Sequence, residues 1–127
     1  MQATILIVDD HQALRSSLRD WLETVFPSCH VIEAASGEES IDIAKEMTPS
    51  IVLMDIGLPG MNGIEATRCI KAVVPATQIV MLTIHEDDSY RVDAAEAGAS
   101  AFVPKRTMQK KLIPVLTNLL SKDGRKI

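Results

Sequence analysis

The chain has 127 residues, 46% of them hydrophobic and 24% charged, a composition that folds into one globular domain and argues against intrinsic disorder. A domain of this length buries roughly 68% of the surface of its unfolded chain, so it needs no disulfide or metal staple. With 13 basic and 17 acidic residues the net charge is −4, which excludes a general attraction to nucleic acid or anionic membranes. No apolar run approaches the ~20 residues of a membrane span. The N-terminal apolar run is short and stops at two acids, unlike a signal peptide. A cytoplasmic protein is expected. Cys29 and Cys69 stand in no metal or redox motif and are expected to be reduced and partly buried.

Ile5-Leu6-Ile7-Val8 predicts a first strand from about Thr4 to Asp9, apolar on both faces as in parallel sheets. Leu14, Leu18, Leu22 and Val25 then form one helical stripe, flanked by Trp21 and ended by Pro27. His30 to Ala34 is half polar and suits an edge strand. Ser36 and Glu39 have capping-box spacing, opening a helix with Ile41, Ala44 and Met47 inward and Pro49 beyond its end.

Ile51-Val52-Leu53-Met54 runs straight into Asp55. A carboxylate inside such a strand would carry a large desolvation cost, so Asp55 is expected at its carboxyl end. The loop from Ile56 leads to Asn62, an N-cap, with Glu65 at the third helical position and Ala66, Ile70 and Val73 inward; Pro75 stops that helix. Ile79 to Leu82 is a fourth strand ending at Thr83. The helix from about Asp88 to Ala97 has only Tyr90 and Val92 beyond its alanines, a weak anchor, and Gly98 caps it. Ala101-Phe102-Val103 is a short fifth strand ending near Lys105. A last helix carries Leu112, Leu116, Leu119 and Leu120; Pro114 either lies in its first turn or kinks it. The segment from Ser121 is polar and expected to fray.

Five strand–helix units predict an α/β fold, a doubly wound five-stranded parallel sheet with flavodoxin-like strand order 2-1-3-4-5. That order brings Asp9, Asp10, Asp55 and Thr83 to the carboxyl edge of the sheet, where such folds bind ligands. Clustered carboxylates repel one another, and hard oxygen donors suit Mg²⁺. Asp10 and Asp55 are the expected direct ligands, with the Gly57 backbone carbonyl as a third and Asp9 acting through water. Asp55 is also placed to attack phosphorus as a nucleophile, giving an acyl phosphate. Lys105 and the Thr83 hydroxyl can then meet the phosphoryl oxygens. Each residue alone has a plainer reading: Asp9-Asp10 as a helix cap, Thr83 as a strand residue, Lys105 as a solvated charge, Phe102 as core. His11 and His85 read as a first-turn and a loop residue rather than metal ligands. The conjunction at strand ends favours the site.

The motifs Ile-Leu-Ile-Val-Asp9-Asp10-His11, Val-Leu-Met-Asp55-Ile-Gly-Leu-Pro59-Gly60-Met-Asn-Gly63, Met-Leu-Thr83 and Gly98-Ala-Ser-Ala-Phe102-Val-Pro-Lys105 resemble response regulator receiver domains of two-component systems. The resemblance covers essentially the whole chain. Asp-Asp-His and Phe-Val-Pro-Lys-Arg are most similar to receivers of LuxR-type (NarL/FixJ) transcription factors. It implies a receiver over residues 1–121 and a tail or linker start over 122–127. It also implies that a sensor histidine kinase phosphorylates Asp55 with Mg²⁺ bound, and that Thr83 and Phe102 act as the switch. The helix 4/strand 5 surface then controls an output, transcription through a DNA-binding domain absent here, with homodimerisation on phosphorylation. Two residues depart from the pattern. Arg106 stands where receivers commonly place a cis proline, and Ile84 is bulky where the residue after the threonine is usually small; it is expected to slow phosphoryl turnover.

Three rivals fit less well. A haloacid-dehalogenase-type phosphohydrolase needs a carboxylate two residues past the nucleophile, where Gly57 stands. A flavodoxin-like flavin carrier needs a phosphate loop where Asp9 and Asp10 would repel an anion. A phosphate-independent interaction module would not need the intact Asp9, Asp10, Asp55, Thr83 and Lys105 set.

Overall fold

Aliphatic and β-branched runs extend readily and pack on both faces of a pleated sheet, and this chain uses them for every central strand. The computed structural model of the protein describes residues 2–122. Strands β1 (Thr4–Val8), β2 (His30–Ala34), β3 (Ile51–Met54), β4 (Gln78–Thr83) and β5 (Ala101–Pro104) form one parallel sheet. Its order is β2-β1-β3-β4-β5, as the strand–helix alternation predicts. The connecting helices are α1 (Gln12–Val25), α2 (Gly37–Met47), α3 (Gly63–Val73), α4 (Asp88–Ala97) and α5 (Met108–Lys122), with a 3₁₀ turn over Lys105–Thr107.

The period-two alternation of each strand divides the core in two. Ile5 and Ile7, Ile51 and Leu53, Val80 and Leu82, and Val103 pack with Leu18, Leu22, Leu112 and Leu116 of α1 and α5. Leu6 and Val8, Val52 and Met54, and Ile79 and Met81 pack on the other side with Ala44, Ala66, Ile70 and Ala94 of α2, α3 and α4. Asp9 and Asp55 each continue the first series past the end of their strand, and Lys105 continues Ala101 and Val103. Thr83 and Phe102 belong to the second.

The helix starts follow their local chemistry. Ser36 Oγ accepts from the Glu39 amide at 3.1 Å, while the Glu39 carboxylate accepts from the Ala35 amide at 2.8 Å. This capping box closes one residue earlier than the usual pattern. Asn62 Oδ1 accepts from the Ile64 and Glu65 amides at 2.9 and 3.0 Å, and its side-chain amide donates to Glu65 at 3.0 Å. Gly98 ends α4 at φ +108°. Pro114 lies well inside α5, which begins at Met108, so the late-start alternative does not hold; the Lys110 carbonyl loses its usual partner there.

Several predicted inward positions face solvent. Val25, Met47 and Val73 are exposed, and Phe26, Ser40, Ile64 and Thr67 are buried instead. Val25, Met47 and Val73 are each the last residue of a helix, where the chain leaves the sheet and the stripe has nothing left to cover. Cys29 is buried, and burial pushes its thiol pKa up, whereas Cys69 is exposed rather than partly buried. Trp21 packs beside the α1/α5 core with Leu14 and Met108. Of the tail expected at 122–127, Lys122 closes α5 and the rest lies outside the described residues.

The α1 stripe gives a stability test. Leu22→Ala is expected to lower unfolding free energy by about 2–5 kcal/mol, and Val25→Ala to change it by less than about 0.5 kcal/mol. Urea denaturation of both variants measures this, and comparable losses would place Val25 in the core.

Candidate functional site

Parallel register sets the site. Val8 and Met54 are partners across β1 and β3, so Asp9 and Asp55 leave the sheet side by side. The Asp55 amide donates to the Val8 carbonyl at 3.1 Å and the Asp9 amide to the Ala34 carbonyl at 3.2 Å, holding both backbones at the edge. Asp9 is 2% and Asp55 5% exposed. Asp10, the next residue, is exposed. On the far side Thr83 and Pro104 are partners across β4 and β5, which brings Lys105 to the same edge.

Two buried carboxylates this close need a counter-charge. Lys105 supplies it: its ammonium lies 2.7 Å from Asp9 Oδ2 and 3.4 Å from Asp55 Oδ2. The remaining oxygens are also used. Asp9 Oδ1 accepts from the His11 amide at 2.8 Å and lies 3.0 Å from His11 Nδ1. Asp55 Oδ1 accepts from the Gly57 amide at 3.2 Å. Burial alone would raise the Asp9 pKa, but the Lys105 hydrogen bond, the His11 amide and the Lys105 charge outweigh it and hold the carboxyl below the ordinary range. Arg15 donates to the Asp9 carbonyl at 2.6 Å and to Glu33 at 3.1 Å, tying the β1–α1 turn to β2.

The loop after β3 is equally close-fitted. A Cβ at Gly63 would collide with the Asp55 carbonyl oxygen, so only glycine lets α3 start against the backbone of Asp55. At Gly57 a Cβ would lie 2.6 Å from His85 Nε2, which places the His85 ring against this loop. Thr83 is fully buried, and its hydroxyl accepts from the His85 amide at 3.1 Å. Phe102 is half-buried with the Arg91 guanidinium 4.3 Å from its ring centre.

The predicted set is thus brought to one edge, and Asp9, Asp55 and Lys105 are in direct contact. The two departures behave differently. Every described peptide bond is trans, and Arg106 binds the Glu86 carboxylate at 2.9 and 3.1 Å, pinning the turn that carries Lys105. Ile84 is 69% exposed, so its bulk stands in solvent beside Thr83.

His11 adds what the sequence reading set aside. One ligand atom each from Asp9, Asp10, His11 and Asp55 lies within 4.8 Å of the others. The carboxylate oxygens fit a hard divalent cation such as Mg²⁺. The Lys105 ammonium already neutralises two members of that group, Asp9 and Asp55.

The Asp9–Lys105 contact has a pH signature. Because the folded pKa of Asp9 lies below its unfolded value of about 3.9, its contribution to stability is complete above that value and is lost as pH falls through the folded pKa. In Lys105→Met the lowering influence of the ammonium is gone, so in EDTA the variant should be less stable than the wild type at neutral pH and should lose less stability as pH falls through the carboxylate range. An acid loss as large as that of the wild type would contradict this.

Comparison with known proteins gives this edge a family. Residues 5–117 match the model of the response regulator receiver domain. The chain is 37% identical over 101 residues to the response regulator GacA of Pseudomonas viridiflava, covering 80% of this chain and 47% of that one. A solved two-component response regulator of the LuxR family from Aurantimonas sp. SI85-9A1 superposes with a TM-score of 0.88 at 38% identity, covering 99% of this chain and 89% of that one. A CheY-like response regulator receiver domain protein from Methanospirillum hungatei JF-1 superposes at 0.91 with 27% identity, covering 98% of each chain. The chain spans about half the length of the curated relatives it matches, 47% in the case of GacA. With the strand order, the acidic edge and the lysine at the end of β5 all in place, the chain belongs to the response regulator receiver domain family, with LuxR-type regulators among its relatives.

Proposed function

We propose that the chain is the phosphoacceptor receiver domain of a two-component response regulator acting in the cytoplasm, and that Asp55 takes a phosphoryl group from a sensor histidine kinase. The observation that carries this is the bracing of Asp55 at a strand end, with Oδ1 on the Gly57 amide and Oδ2 facing Lys105 beside Asp9. An Asp55 oxygen attacks phosphorus while the phosphorus–nitrogen bond to the kinase histidine breaks, leaving the imidazole on the kinase and an acyl phosphate here. Attack by water on that phosphoryl group later restores the carboxylate, a reaction the domain promotes on itself.

Phosphoryl transfer asks mainly for positioning and charge neutralisation. Lys105 is placed to leave Asp9 and meet one phosphoryl oxygen. The Thr83 hydroxyl accepts from the His85 amide, which leaves its own proton to donate to another. Asp10, Asp55 and the Gly57 backbone carbonyl would hold Mg²⁺ directly, and Asp9 through water; bound there, the ion neutralises phosphoryl charge.

The switch follows from the second face of the sheet. As Thr83 turns toward the phosphoryl group, Phe102 moves inward and gives up its contact with Arg91. Helix α4 buries only Ala94 and Ala97 of its own residues, so it shifts at small cost in apolar contact. The α4/β5 surface then controls the output, transcription through a DNA-binding domain following the receiver of 1–121 and the linker begun at 122–127, with homodimerisation on phosphorylation. The matched segment fills only 47% of GacA, which supports further chain beyond the receiver.

Incubation with acetyl phosphate and Mg²⁺ should add the mass of one phosphoryl group, absent in Asp55→Asn and without Mg²⁺. No adduct in the wild type would favour a phosphate-independent interaction module. Ile84→Ala should speed both gain and loss of the phosphoryl group; equal rates in the two proteins would show that Ile84 does not limit access.

A further inference from the structure

His11 holds the N-cap position of α1, yet its side chain makes no capping hydrogen bond. Its ring turns instead to the acidic edge, with Nδ1 3.0 Å from Asp9 Oδ1 and 3.3 Å from Asp10 Oδ1. Neighbouring donors around an octahedral ion with bonds of about 2.1 Å stand about 3.0 Å apart. Nδ1 therefore stands close to adjacent-ligand spacing from Asp10 Oδ1, a direct oxygen ligand in the reading above, while its contact with Asp9 Oδ1 is a hydrogen bond. The ring is 71% exposed, so it can adjust without disturbing the core.

We propose that His11 Nδ1 is a direct metal ligand of this pocket, so that the site takes the borderline ion Co²⁺ by nitrogen as well as oxygen coordination and keeps that nitrogen when the harder Mn²⁺ is bound. Imidazole favours the later first-row ions, while carboxylate and carbonyl oxygens suit Mg²⁺ and Mn²⁺. In the metal-free chain a proton on Nδ1 donates to the carboxylates. On coordination the ring takes its other tautomer, with the proton on Nε2 facing solvent and the Nδ1 lone pair on the ion. The inference deepens the cation-assisted reading above and rests on it for the existence of the metal pocket.

The test uses the untagged full chain. Pulsed electron paramagnetic resonance of the Mn²⁺-loaded protein should show coupling to an imidazole nitrogen, lost in His11→Ala and kept in His85→Gln. The second variant matters because His85 Nε2 lies against Gly57, whose carbonyl is itself a proposed ligand. Calorimetric titration should show His11→Ala losing at least about tenfold in Co²⁺ affinity, the lower end of what disturbing a partner of a metal ligand costs. Its Mg²⁺ affinity should change by less than about threefold, because Mg²⁺ gains little from nitrogen. Mn²⁺ bound without nitrogen coupling, or coupling lost only in His85→Gln, would overturn the role of His11 and leave the oxygen site standing. Failure of the wild type to bind Mn²⁺, Co²⁺ or Mg²⁺ would overturn both readings.

Discussion

Two carboxylates buried at neighbouring strand ends are the constraint around which this edge of the molecule is arranged. Each ion taken from water costs several kcal/mol even after relaxation, and Asp9 and Asp55 also repel one another. The Lys105 ammonium between them offsets both terms, and amides of His11 and Gly57 occupy the outer oxygens. Such a pocket is held together by its cation. Removing that charge, or bringing in a second one with different geometry, would release the Lys105 turn that follows β5 from the ends of β1 and β3.

That coupling gives the fold its use. Lys105 and Asp9 stand 96 residues apart, since Asp9 follows the first strand and Lys105 the fifth. A phosphoryl group on Asp55 would draw the ammonium away from Asp9 and the Thr83 hydroxyl toward itself. The surrounding backbone cannot absorb this locally, because α3 begins hard against Asp55 at Gly63 and the His85 ring presses on Gly57. In the proposed switch the response would fall to the part with the least packing to lose, α4 with its two buried alanines and Phe102 half in solvent beside Arg91.

Much of this was legible in the sequence because buried parallel strands have a plain signature. Ile5–Val8, Ile51–Met54 and Ile79–Leu82 admit no other economical reading, and the polar residue closing each run marks the carboxyl edge. Helix faces were legible only in their middles. Val25, Met47 and Val73 keep the helical period yet stand in solvent, because periodicity does not say where a helix outruns its sheet. Pro114 could not be placed because whether a helix continues through a proline depends on packing around it. His11 was passed over for a related reason. An imidazole after two acids has no spacing rule, and its approach to Asp9 and Asp10 depends on a turn that Arg15 fixes from the next helical turn. Its position directly after Asp9-Asp10 was the one signal on offer.

The central claim is that this arrangement makes Asp55, and not its two acidic neighbours, the nucleophile. Borohydride reduces an aspartyl phosphate to homoserine, so treating the phosphorylated protein with it and sequencing its peptides by mass spectrometry reads the site directly. The account predicts homoserine at position 55 and intact aspartates at positions 9 and 10. Homoserine at either of those positions with Asp55 unchanged would contradict it.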